Sequence, residues 1–130
     1  MAGSWIASHL WIQYEFTQDK QYLAETAYPL LKGNAQFILD FLAKDPKSGY
    51  LMTGPSISPE NWFRTAGGEE MVASMMPACD RELAYEILSN CVRASEILDT
   101  DREFADSLRT AIAQLPPIQL RANGCLLYTS

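Results

Sequence analysis

Thr53-Gly54-Pro55-Ser56-Ile57-Ser58-Pro59-Glu60-Asn61-Trp62 is the stretch on which the reading of this chain turns. Its two prolines, glycine and two serines forbid regular helix and impose extended or turn geometry. It lies between two long helical patterns, and its one carboxylic acid, Glu60, stands beside an amide, Asn61, and an indole, Trp62. A rigid loop that presents an acid next to an aromatic wall has the composition of a catalytic site. The same spacing also suits a solvated connection in which Glu60 is merely the first-turn acid of the next helix.

Upstream, the pattern predicts a first helix from about Ser4 to Phe16. Trp5, Ile6, Leu10, Trp11, Ile12, Tyr14 and Phe16 point almost all round its axis, as in a helix buried on every side. His9 lies among them and reads as a hydrogen-bonded core histidine, a substrate or proton-transfer role being the alternative. Asp19 is placed to cap the next turn. A second helix is predicted from about Glu25 to Ala43, with Ala27, Leu30, Leu31, Ala35, Phe37, Ile38, Phe41 and Leu42 on one broad face and Lys32, Gln36 and Asp40 opposite. Gly33 inside it weakens the helix by about 1 kcal/mol and would allow close packing of a neighbour. Asp45-Pro46-Lys47-Ser48-Gly49 is turn chemistry, after which Tyr50 to Thr53 reads as a short extended piece.

Downstream, Gly67-Gly68 is flexible, Glu69-Glu70 suits the start of a short helix with a solvated acidic face, and Met71 to Met76 has no secure period. A third helix is predicted from about Asp80 to Leu98, its apolar side formed by Leu83, Ala84, Ile87, Leu88, Cys91, Ala94 and Leu98, with Asp80 as its cap. Thr100-Asp101-Arg102-Glu103 has the form of a capping box opening a fourth helix, which places Phe104, Leu108, Ile112 and Leu115 on one face and stops at Pro116-Pro117. The fold class is therefore all-α, about four helices arranged as two helical hairpins.

Composition narrows the function classes. The 130 residues carry a net charge of −6, with basic residues scattered among the acids, so a phosphate backbone is repelled and neither nucleic acid nor an anionic membrane is an expected partner. The amino terminus shows no basic segment followed by an apolar stretch, so no signal peptide is expected, and no run is long enough to span a bilayer. Cys79, Cys91 and Cys125 form no closely spaced pair and have only His9 for company, so neither a metal site nor a disulfide framework is expected; Cys91 reads as core. No cofactor is implied.

The run Ser58-Pro59-Glu60-Asn61 does not stand alone. Together with Gly3-Ser4-Trp5-Ile6-Ala7-Ser8-His9-Leu10-Trp11, Tyr14 to Asp19, Ala27-Tyr28-Pro29-Leu30-Leu31-Lys32-Gly33, Phe37 to Leu42 and Asp45 to Leu51, it resembles the catalytic domain of family 95 glycoside hydrolases, the inverting α-L-fucosidases. The resemblance runs from about Gly3 to about Gly124 and is most specific between Asp45 and Asn61. It implies part of an (α/α)6 barrel, in which about twelve helices line and wrap a cup, so that residues 1–124 supply roughly a third of the helices. It also implies a carbohydrate substrate, a fucosylated glycan, with Glu60 as general acid, and it carries an aspartate at the place of Asp80, which makes Asp80 a candidate to face the sugar. Asn61 and Ser58 are candidates to hold the loop or touch sugar hydroxyls. The asparagines and aspartate that handle water in this family match no stretch here. After Asn123-Gly124 the tail Cys125-Leu126-Leu127-Tyr128-Thr129-Ser130 departs from the family pattern and reads as non-native or irregular.

The remaining readings are a helical-repeat scaffold for a partner protein and a barrel enzyme for another sugar. Against the scaffold, the two hairpins share no fixed period and the proline-rich insertion interrupts them.

Overall fold

The computed structural model describes residues 1–59, 61–118, 120, 122 and 124. Its elements in chain order are α1 (Ala2–Thr17), α2 (Lys20–Tyr22), a π-helical turn (Leu23–Ala27), α3 (Tyr28–Phe41), six two-residue strands, α4 (Ala78–Leu98) and α5 (Arg102–Ile112). The chain runs from α2 through the π turn into α3 without a break, so the described residues contain four helical rods. The expected helix from Glu25 thus begins earlier, at Lys20. It is entered through the Asp19 cap, whose carboxylate accepts from the Gln21 and Tyr22 amides at 2.9 and 3.0 Å. Pro29, which lacks an amide hydrogen, lies inside this continuous rod just after the π-helical turn, where the bonding pattern of the helix changes.

α4 is the hub, packing against α1, α3 and α5. Its buried side, Ala84, Ile87, Leu88, Cys91, Val92 and Ala94, meets Leu31, Ala35 and Ile38 of α3 and Ala105 and Leu108 of α5 in one core. Leu23, Leu31, Ile38, Ile87, Leu88 and Leu108 are the largest apolar side chains fully withdrawn from water.

Two faces depart from the sequence reading. α1 buries Ser4, Ala7, Ser8, Trp11 and Tyr14 and leaves Trp5, Ile6, Ile12 and Phe16 in solvent. His9 is exposed on that outer side, its Nδ1 3.0 Å from the Trp5 carbonyl one turn back, and is no core histidine. On α3 the buried stripe is Tyr28, Leu31, Ala35 and Ile38; Leu30, Phe37 and Phe41, expected on the same face, are exposed, and Phe37 stacks on Phe41 with ring centroids 5.7 Å apart. The broad apolar face is thus split, because α4 covers only one edge of it. At Gly33 no neighbouring atom lies within 4 Å of the point where a side chain would begin, so close packing does not explain this glycine.

The connection from α3 to α4 contains the strands. β1 (Ala43–Lys44) pairs with β2 (Leu51–Met52) across the Asp45–Gly49 turn, in which the Asp45 carboxylate accepts from the Ser48 amide at 2.7 Å and its hydroxyl at 2.6 Å. Beyond it two antiparallel ladders are nested: β3 (Ser56–Ile57) pairs with β6 (Ala73–Ser74), and inside that β4 (Phe63–Arg64) pairs with β5 (Glu70–Met71). Glu69-Glu70 therefore opens no helix. Glu70 sits opposite Arg64 in the ladder, and their side chains form an ion pair at 2.8 Å.

The capping box at Thr100 to Glu103 does not form either. Asp101 is the N-cap of α5, in the left-handed region at φ 50°, and no side chain caps the helix. The Asp101 carboxylate is instead drawn to α3, where it accepts from Tyr28 and Lys32. Among the described residues no helix is long and apolar enough to cross a membrane.

Candidate active site

The loop that carries Ser58 and Asn61 is held by four successive contacts. The Thr53 carbonyl accepts from the Met76 amide at 2.8 Å. At Gly54, with φ +141°, a side chain would bring its first carbon within 2.8 Å of Met75 Sδ and 3.1 Å of Met75 Cα, so glycine is required by both conformation and space. β3 then pairs with β6, Ser56 opposite Ser74. Finally the chain turns at Ser58: the Asn61 amide donates to the Ser58 carbonyl at 3.2 Å, and Asn61 Nδ2 donates to Ser58 Oγ at 3.3 Å and to the Pro59 carbonyl at 3.2 Å. Glu60 itself lies outside the described residues, as do Arg121, Asn123 and the tail from Cys125.

Of the other site residues predicted from the sequence, Ser58 is buried and Asn61 is exposed on the loop surface. Asp80, 2% exposed, lies beneath the loop. It is the third residue of α4, whose N-cap is Pro77, and its side chain makes no cap bond, so the capping role expected for it is not observed. A carboxylate is tolerated in this first turn because the helix amides there carry partial positive charge. Its Oδ2 accepts from the Thr53 hydroxyl at 3.1 Å, and its Oδ1 lies 3.7 Å from the Cys79 thiol. Burial, and then the charge of Asp80 beside it, push the Cys79 thiol upward, so it stays protonated and donates.

Thr53 and Cys79 were not singled out as site residues by the sequence. Thr53 is fully buried and its partner is 27 positions away, a separation that no local spacing rule reaches. The only signal was indirect: a threonine at the foot of the Gly-Pro turn, and an aspartate just beyond Pro77.

Trp62, expected as the aromatic wall beside the acid, is 61% exposed, while Phe63 is half-buried in the inner ladder. The Arg64 guanidinium lies 5.7 Å from the Trp62 ring centre and is itself paired with Glu70, which steadies the indole at the loop's edge.

Comparison with known proteins places these features in a family. Residues 1–127 match the Glycosyl hydrolase family 95 catalytic domain. A protein of Arabidopsis thaliana named Alpha-L-fucosidase 2 is 37% identical over 127 residues, covering 97% of this chain and 15% of that protein. An Aspergillus niger protein named Probable alpha-fucosidase A is 43% identical over 61 residues, 45% of this chain and 8% of its own length. The chain therefore spans a small part of the relatives it matches. Because the match runs almost from end to end, the chain belongs to the glycosyl hydrolase family 95 catalytic domain.

Proposed function

We propose that this chain is a segment of a glycoside hydrolase that cleaves terminal α-L-fucosyl, or related α-L-galactosyl, linkages with inversion, and that Glu60 is its general acid. The family match over residues 1–127 carries the reading, and the names of the relatives direct it to fucose. Inverting hydrolysis requires a protonated carboxyl at the leaving oxygen and an activated water on the other face of the sugar, the two carboxyls being about 6.5–9.5 Å apart. A loop pinned at Thr53 and turned at Ser58 supplies the rigidity that proton donation demands.

Ser58, buried, holds the turn, and Asn61, exposed beside Glu60, offers its amide to sugar hydroxyls. The four helical rods are part of an (α/α)6 barrel whose other helices, with the water-activating groups, belong to the rest of the enzyme. The isolated chain is accordingly inactive.

Glu60→Gln in the full-length enzyme tests the assignment. It lowers kcat on an unactivated fucoside by about 10²–10⁴-fold, the worth of general acid catalysis. Near-normal turnover on that substrate removes Glu60 from the mechanism. Assay of the full-length protein on aryl α-L-fucoside and α-L-galactoside decides between the two sugars.

A further inference from the structure

We infer that Asp80 is a positioning residue, a buried carboxylate that ties the acid-bearing loop, where it begins at Thr53, to the start of α4. The inference rests on the reading of Glu60 as the acid.

One of its oxygens takes the loop. Oδ2 accepts from the Thr53 hydroxyl at 3.1 Å, where the chain enters. Oδ1 lies 3.7 Å from the thiol of Cys79, the preceding residue of α4. Thr53 is held a second time by its carbonyl, which accepts from the Met76 amide at 2.8 Å, and further along the loop Ser58 Oγ accepts from Asn61 Nδ2.

Energetics favour a role over an accident. Withdrawing a carboxylate from water costs several kcal/mol, and among the described residues Asp80 has no cation to offset it. At 2% exposure its side chain offers almost no surface to a ligand. It acts through the position of residue 53, not by touching substrate.

Asp80→Asn, Thr53→Val and Thr53→Ser in the full-length enzyme test this, with Glu60→Gln measured beside them. Asp80→Asn and Thr53→Val are expected to lower kcat on an unactivated fucoside about tenfold or more, the cost of a displaced catalytic group, with little change in KM. On α-L-fucosyl fluoride, whose leaving group needs no proton, the loss shrinks towards none. Thr53→Ser, which keeps the hydroxyl, stays close to the parent. A raised KM with equal losses on both substrates would place Asp80 on the sugar and overturn the inference, as would a lowered melting temperature with unchanged kcat.

Amide hydrogen exchange separates the two readings. In Asp80→Asn the Met76 amide, which donates to the Thr53 carbonyl, exchanges at least about tenfold faster while α5 is unaffected, whatever Glu60 does. Unchanged exchange overturns the anchor. If Glu60→Gln shows no dependence on leaving group, the acid assignment fails, and exchange alone decides the anchor.

Discussion

The Asp101 carboxylate accepts from the Tyr28 hydroxyl at 2.8 Å and the Lys32 ammonium at 2.6 Å, so the short turn between α4 and α5 is clamped to α3. The bond from Lys32, then that from Tyr28, holds its carboxyl below the ordinary aspartate range. With the folded-state value depressed, the clamp's contribution is complete above the unfolded pKa and disappears as pH falls through the folded one. Thermal melts should therefore show the parent losing more stability than Asp101→Asn between about pH 5 and pH 2. At Cys91, burial pushes the thiol up to about 12, so thiolate is scarce at neutral pH. Iodoacetamide with mass spectrometry should label Cys91 only when denaturant is added. Gly54→Ala meets both a forbidden φ and the Met75 backbone, and should destabilise the loop by more than about 1 kcal/mol, read as faster exchange of the Met76 amide.

Among elements, α4 organises the rest, since three helices pack on it and the loop is tied to its first turn. Leu88 is fully buried on that helix, and Leu88→Ala should cost about 2–5 kcal/mol in a denaturant melt, by lost transfer energy plus a cavity. The two capping sequences are expected to respond differently. Asp19 accepts from two helix amides, so Asp19→Ala should cost about 1 kcal/mol. Thr100→Ala should stay within about 0.5 kcal/mol, because no side chain caps α5. Both motifs look sound in one dimension. At Thr100 the helix begins one residue later than the box requires, with Asp101 as N-cap and its carboxylate taken by Tyr28 and Lys32 of α3, partners that only the packed state brings within reach.

At the scale of the molecule, the exposed apolar side chains are too many for a self-sufficient domain surface. Trp5, Ile6 and Phe16 of α1 are 64%, 70% and 87% exposed, and Leu30 and Phe37 of α3 are 57% and 52%. Trp11, by contrast, is buried, with the Arg93 guanidinium 4.6 Å from its ring centre, and Leu10 is half-buried. Contiguous exposed apolar surface marks a face that another surface covers. The isolated chain should self-associate or melt without cooperativity. Replacing Trp5, Phe16 and Phe37 by Gln together should shift it towards monomer in sedimentation velocity, whereas a monodisperse parent with a cooperative melt would contradict the expectation.

Local chemistry was enough to determine the helical rods, the Asp19 cap, the Asp45 turn, the core position of Cys91 and the non-helical character of the stretch around Ser58. Each depends on neighbours within a few positions, where periodicity, capping and proline geometry operate. The face that each helix buries, the nested ladders at Glu70, the exposure of His9 and the pairing of Asp80 with Thr53 were decided only by tertiary structure. In α1 the apolar residues surround the axis, so no periodicity selects a side; packing against the other helices takes in Trp11 and Tyr14 with Ser4, Ala7 and Ser8 and leaves Trp5, Ile6 and Phe16 out. The loop's anchor joins residues 27 apart, and such a contact becomes available only after α4 has packed beneath the chain that it holds.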